Sequence, residues 1–302
     1  MTKRFYTPLA HRGVLTVGGT DRREFLQGLV SNDVMRVDAG HALWSAFLTP
    51  QGKYLHDFFI AEVGEALCLD CEGHERLMDL GRRLHKFKLR SAVELGIADH
   101  LCVLALWGDD VGSLLGVSET PGAARAMEGG VVYIDPRLVA AGARAILPAD
   151  RAAELLEGLG FAAATPDDYD RMRLELGLPD GSKDLVVEKS ILLESNFDAL
   201  NGVDWDKGCY MGQELTARTR YRGLVKKRLM PVAVSGEAPA PGVMLMRNGK
   251  EAGEMRSSRD GLGLALIRLE HVAADGQMPT FEAGSATLTL REAPWQIPEP
   301  QS

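Results

Sequence analysis

After Lys227 the apolar residues of this chain come in short runs, Met230 to Val234, Val243 to Met246, Leu262 to Ile267 and Ala286 to Leu290, separated by Gly, Pro and Asn. Runs of that size bounded by turn formers are strand-like, so about residues 228 to 294 are expected to fold as a small all-β barrel or sandwich. Asn248-Gly249 lies between Met244-Leu245-Met246 and the segment Glu251 to Met255. That dipeptide is the strongest short-range signal for a hairpin, because both central residues of the turn need positive φ. The last residues, Pro298 to Ser302, are expected to fray.

Upstream the patterning is mixed, and the region 1–227 reads as α+β. Strands are expected at Val14 to Val17, Ala42 to Leu48, Tyr54 to Val63 and Ala66 to Asp70, with a hairpin turning at Pro50-Gln51-Gly52-Lys53. A helix is expected over Asp21 to Leu29, capped by Thr20, and a longer one over Glu75 to Phe87 with Leu77, Leu80, Leu84 and Phe87 on one face. Ala92 to Ile97 resumes strand character. Beyond it, strands at Leu101 to Leu106, Val131 to Ile134 and Arg144 to Leu147 alternate with helices near Asp109 to Leu115 and Asp150 to Leu159. This order resembles two ferredoxin-like units in succession, with a boundary near residue 100. Thr165-Pro166-Asp167-Asp168 starts a further helix, with a capping threonine and proline at the first helical position, ending near Gly177.

The chain has 302 residues, 45% of them hydrophobic, which suits two or three compact units with ample core. No apolar stretch approaches the roughly 20 residues needed to span a bilayer, and no apolar run follows Lys3 and Arg4. The expectation is a cytoplasmic protein with no membrane partner and its four cysteines, Cys68, Cys71, Cys102 and Cys209, reduced. A net charge of -8 argues against a broad nucleic-acid surface, so direct RNA binding is not expected.

The most specific stretch is Lys207-Gly208-Cys209-Tyr210-Met211-Gly212-Gln213-Glu214, followed by Arg218. A thiol acts as nucleophile or metal ligand in its thiolate form, which a nearby cation or a helix N-terminus favours. Lys207 is such a cation, and Gly212 to Arg222 reads as a helix closed by Gly223. A reactive thiol and a buried, inert cysteine in a glycine-rich bend are the two readings. Cys68-Leu69-Asp70-Cys71 competes as a metal or redox pair, but residues three apart in a strand face opposite ways and four zinc ligands are not assembled, so no metal site is expected. Arg218, Arg220, Arg222, Lys226, Lys227 and Arg228 form a basic run that suits a polyanion such as phosphate, RNA or a polyglutamate tail, or a solvated face. Tyr210 and Tyr221 suit stacking on a flat ligand or core packing.

Three blocks, Leu192-Leu193-Glu194-Ser195-Asn196-Phe197, Asn201-Gly202-Val203, and Lys207 to Thr219, resemble the signature of the YgfZ family and its mitochondrial relatives, which are iron–sulfur cluster assembly factors. That family is paralogous to the glycine-cleavage T protein, a tetrahydrofolate-dependent aminomethyltransferase. Phe25 to Val34, which includes Asn32, and Thr49 to Asp57 are similar to N-terminal segments of the same superfamily. The resemblance covers most of residues 14 to 230.

It implies a three-domain cloverleaf of two ferredoxin-like α+β units plus a C-terminal β-barrel, around a cavity for tetrahydrofolate or a one-carbon derivative. Glu194 takes the place of the carboxylate that holds the pterin ring, and Asn32, Tyr210, Gln213 and Arg218 join it as candidate cofactor-binding residues. Asp57, a candidate catalytic residue beside Cys209 and Lys207, falls where the T protein carries paired aspartates, one of them catalytic, but His56 replaces the first of them, which puts aminomethyl transfer in doubt. The implied function is support of iron–sulfur cluster assembly or repair in client enzymes, including tRNA-modifying ones. Cys209 and Lys207 supply its thiol chemistry, and any bound cluster is transient or shared, since one thiol cannot hold it. Expected partners are folate, iron–sulfur assembly proteins and their clients. Two alternatives stay open: a folate-dependent one-carbon transferase, and a folate-independent thiol enzyme in which a histidine activates Cys209.

Overall fold

A computed structural model describes residues 3–272 and 278–297, so the expected fraying of Pro298 to Ser302 lies outside the described residues. The chain gathers into two compact units. The first takes Met1–Leu48, Leu55–Pro166 and Leu200–Met211, and the second Thr49–Tyr54, Asp167–Ala199 and Gly212–Ser302.

The first unit holds two sheets. One has five strands in the order Leu43–Leu48, Tyr54–Val63, Ala66–Glu72, Arg12–Gly18, Glu94–Ile97. The helix His74–Lys88 buries Leu77, Leu80 and Leu84, one stripe at helical spacing. Phe87, expected in that stripe, is 40% exposed and meets Phe47 edge-on at 6.1 Å. The expected Thr20 cap does not form. Asp21 stands at the N-cap of the Arg22–Gln27 helix without a capping bond, its carboxylate instead accepting the Ala92 N–H at 2.7 Å.

The other sheet runs Ala162–Ala163, Arg4–Pro8, Leu101–Gly108, Ala143–Pro148, Gly130–Ile134, Ala124–Met127. Its strand Arg4–Pro8 has no apolar alternation for a sequence reading to catch. It pairs antiparallel with Leu101–Gly108 and parallel with Ala162–Ala163, so the first strand of the chain belongs to the second sheet. Asp70 of the five-stranded sheet is fully buried and accepts from Arg12, and from Arg144 Nε and Nη2 of the other sheet at 2.8 and 2.6 Å. The ring of Phe59 lies 4.1 Å from the Arg144 guanidinium carbon and 4.9 Å from that of Arg137.

In the second unit a closed six-stranded barrel runs Lys227–Ser235, Leu262–Arg268, Lys250–Arg259, Met244–Arg247, Thr280–Ala283, Ala286–Leu290. Asn248 and Gly249 have φ of 52° and 73°, the two positive values the hairpin between Arg247 and Lys250 requires. The core is aliphatic, with Leu245, Met255, Ile267 and Leu288 all at 0% exposure. The helix Pro166–Glu175 starts where the proline predicts, and Gly177 follows it at φ 71°. Its buried Arg173 binds the buried Asp184 carboxylate at 2.6 Å, and Asp184 also accepts from Ser257 of the barrel.

Candidate functional site

The segment 201–211 of the first unit has little regular structure, and side chains and backbone of the turn after the Arg22–Gln27 helix hold it in place. Ser31 Oγ donates to the Gly202 carbonyl at 2.7 Å, the Asp204 N–H to the Ser31 carbonyl at 3.1 Å and the Met211 N–H to the Gly28 carbonyl at 3.0 Å. Lys207 closes the attachment. Its Nζ donates to the carbonyls of Gln27, Val30 and Asn32 at 2.9, 2.7 and 2.6 Å, and lies 5.2 Å from the centre of the Tyr210 ring. All three ammonium hydrogens therefore serve the backbone, rather than the Cys209 thiol that the sequence reading gave the charge to. Burial draws the Lys207 ammonium down to about 8, with Asp33 and Asp204 opposing.

Between these anchors Cys209 is exposed. Gly212, at φ 81°, then starts the helix Gln213–Tyr221 of the second unit, so the thiol precedes a helix start as expected, by four residues in the chain. Tyr210 is buried at 9% exposure and Arg218 is exposed on the helix. The other cysteines contrast with Cys209. Cys68 and Cys71 are buried in the strand Ala66–Glu72, and desolvation pushes their thiols up to about 11 and about 12. Among the described residues no group of three His, Cys, Asp or Glu side chains is placed to hold a metal ion.

Asn32 is buried and fully engaged. Its amide nitrogen donates to the carbonyls of Trp44 and Asn201, both at 2.8 Å, and its amide oxygen accepts the Asp33 N–H. It lines a cavity of about 310 Å³ with Arg36, His41, Pro136, Asn201 and Asp204. Asp57 is 4% exposed and accepts the Trp44 indole N–H at 3.0 Å. His56 beside it bonds Asp79 at 2.9 Å, and burial holds the imidazole down at about 4.

Glu194 belongs to the second unit, on the single turn Leu193–Ser195, against which the helix Gln213–Tyr221 packs. The turn ends at Asn196, whose left-handed φ of 63° is fixed by its amide donating to the Leu229 carbonyl at 2.6 Å. Among the described residues nothing donates a hydrogen bond to the Glu194 carboxylate. Partial burial raises its pKa, against the opposing charges of Lys227, Lys53, Arg256 and Arg228. Lys53 and Arg256 are the residues that sequence reasoning missed here. They come from a distant turn and a barrel strand, and only the fold brings them to Glu194; Lys227 was visible as part of the basic run. A half-buried carboxylate without an internal donor, in a cationic surround, can take two parallel N–H groups from a flat heterocycle that also carries negative charge.

Residues 226–297 match the family model for the CAF17 C-terminal beta-barrel domain. The iron-sulfur cluster assembly factor IBA57, mitochondrial, of Mus musculus is 31% identical over 306 residues, covering 94% of this chain and 83% of that one. The protein of the same name from Homo sapiens is 30% identical with the same coverage. The chain belongs to the IBA57 family. The Neurospora crassa homolog is 32% identical over 250 residues, and the chain spans 55% of its length. Among solved structures, the glycine cleavage system aminomethyltransferase T from Bartonella henselae superposes with a TM-score of 0.78, at 16% identity, over 97% of this chain and 86% of that one. The fold is thus the α+β T-protein type with a C-terminal barrel, as the resemblance implied. One expectation is overturned: these IBA57 relatives are mitochondrial by name, so the cytoplasmic placement drawn from the lack of an N-terminal apolar run does not stand. A short apolar run marks only one kind of targeting segment.

Proposed function

We propose that this chain binds tetrahydrofolate or a one-carbon derivative and supports iron–sulfur cluster assembly or repair in client enzymes, tRNA-modifying ones among them. The observation that carries the folate half is Glu194, a half-buried carboxylate for which no described residue supplies a hydrogen-bond donor. The 2-amino and N3–H edge of a pterin supplies two parallel donors, and the charges of Lys53 and Lys227 favour the ionised carboxylate that accepts them. Gln213 and Arg218 stand on the helix packed against the Glu194 turn and flank the ligand.

The cluster half is supported by the names of the relatives and by the exposure of Cys209. An exposed single thiol suits a ligand shared with an assembly protein and released to a client. Lys207, spent on three carbonyls, acts by fixing the loop that presents the thiol. Asn32 and Tyr210 shape the same loop. Asp57 is given no proton-transfer step, because its carboxylate is buried against the Trp44 indole. Thermal shift with tetrahydrofolate on the wild type and on Glu194→Ala tests the folate half. A ligand that binds only the native state raises its melting temperature, and equal shifts in the two proteins would sink the assignment.

A further inference from the structure

The strand Glu94–Ile97 is the open edge of the five-stranded sheet, and three of its four residues are exposed. The Ala98 N–H donates to the Val14 carbonyl, and Gly96 stands opposite Thr16. By the alternation of an antiparallel ladder, Gly96 and Ala98 face the neighbouring strand, while Leu95 and Ile97 turn their N–H and C=O groups to the open side. An edge of this kind is a template for another strand unless something covers it.

Beside the edge runs a groove of about 430 Å³, between that strand and the His74–Lys88 helix. Leu15 and Leu77 form its floor, Met78 and Ile97 its walls, and Arg82 and His85 its rim. Met78 and Ile97 are 49% and 42% exposed, large apolar side chains left in water. Gly81 also lines the groove, over Leu15, whose Cδ1 a Cβ there would meet at 3.4 Å. Among the described residues no carboxylate lines it. Around it basic side chains outnumber acidic ones although the net charge is -8: from Asp79 to Arg90 the helix and its exit carry Arg82, Arg83, Lys86, Lys88 and Arg90, against Asp79 there, Glu75 at the helix start and Glu94 on the edge strand. Asp79, the acid in that stretch, is held by Arg83 at 2.7 Å and His56 at 2.9 Å, while the Arg82 side chain, 69% exposed, reaches it only at 3.9 Å.

We propose that this edge and groove dock an extended acidic segment of a partner protein, which adds as a strand beside Glu94–Ile97. Its backbone pairs with Leu95 and Ile97, alternate apolar side chains enter the groove, and its carboxylates meet Arg82 and His85. Strand addition draws affinity from main-chain bonds and selectivity from pockets for alternate side chains, and the basic rim selects for acids. Neither folate nor Cys209 takes part in this docking.

The probe is a fluorescein-labelled peptide of about ten residues, the length of an ordinary strand, alternating Leu or Val with Glu or Asp. Its control carries Lys in place of every acid. Fluorescence anisotropy should show the acidic peptide binding and the basic one not, with affinity falling as salt rises. Arg82→Glu combined with His85→Glu should weaken binding about tenfold or more. Ile97→Asp should do the same, and both changes, at exposed positions, should leave the melting temperature within a degree or two of the wild type, as surface substitutions usually do. Hydrogen exchange should slow at the Leu95 and Ile97 amides when the acidic peptide is bound. Equal binding of both peptides, binding indifferent to these variants, or no binding at up to about 1 mM overturns the proposal. So does a concentration-dependent dimer that protects the same two amides, because the occupant would then be a second copy of this chain.

Discussion

The Nζ of Lys207 lies 2.6 Å from the carbonyl oxygen of Asn32, 175 residues earlier in the chain, within a cage that the Val30 and Gln27 carbonyls complete. Removing the side chain leaves three carbonyls without their donor, and each unsatisfied buried group costs about 1–3 kcal/mol where water does not replace it. Lys207→Ala should therefore lower the melting temperature. Lys207→Arg should not restore it, because a planar fork cannot address three converging carbonyls. The pH dependence has a definite sign. The folded pKa, about 8, lies below the ordinary 10.5, so the fold binds this proton less tightly than the unfolded chain does. The cost of the half-buried ammonium is present at neutral pH and is relieved as pH rises from about 8 toward 10.5. The gap between wild type and Lys207→Ala in urea melts should widen between those values; a gap that narrows would contradict the cage.

Glu194 carries the opposite tension between ligand and fold. Its folded pKa is raised, so the ionised carboxylate is a burden on the apo protein, absent below the unfolded value and fully present above the folded one. Glu194→Gln should raise the apo melting temperature at pH 7.5 yet lose most of the further rise expected of the wild type with tetrahydrofolate. In the wild type that ligand-dependent rise should shrink as pH falls and the carboxyl protonates. Calorimetric scans with and without tetrahydrofolate at several pH values read all three outcomes.

Much of the fold was legible because its elements are locally consistent: the leucine stripe of His74–Lys88, the proline start at Pro166 and the Asn248-Gly249 turn each announce themselves in a few neighbouring residues. The strand Arg4–Pro8 was not legible, since its order comes from partners about 100 residues away. The site divides in the same way. Cys209 and Glu194 stood out through motif and resemblance, whereas the direction of the Lys207 side chain and the approach of Lys53 and Arg256 to Glu194 depend on long-range packing.

The Asp70 cluster offers a stability test away from the site. Arg12 and Arg144 both spend their guanidinium groups on this one buried carboxylate. Asp70→Ala would leave two buried cations without it, and breaking a buried pair from one side costs about 3–5 kcal/mol. The variant should unfold at markedly lower urea concentration than the wild type. A loss under about 1 kcal/mol would mean that water reaches the arginines.

Lys53 and Lys227 flank Glu194 from different elements, and both act on it electrostatically. Replacing both by Glu should push the Glu194 carboxyl further up and weaken tetrahydrofolate binding at neutral pH, with the loss shrinking at high salt. Isothermal titration with tetrahydrofolate at two salt concentrations checks this. Unchanged affinity would remove the two lysines from the site.

Cys209 is exposed, whereas Cys68 and Cys71 are buried with thiols pushed up to about 11 and about 12, and Cys102 is half-buried and also raised by desolvation. At pH 7.5 fewer than about one in a thousand of the Cys68 and Cys71 thiols is ionised, and the thiolate is the species that alkylates. Iodoacetamide should therefore label Cys209 first, and peptide mass spectrometry gives the order directly. If the thiol takes part in cluster handling, Cys209→Ser should keep the melting temperature and the tetrahydrofolate shift while lowering iron–sulfur enzyme activity in cells that carry only the variant. Serine is close in size, but it neither ionises near neutral pH nor undergoes thiol redox chemistry. Lys207→Ala, with its thiol intact and its loop released, should lower the same activity in proportion to its loss of stability. Full activity in cells with Cys209→Ser would remove the thiol from the mechanism.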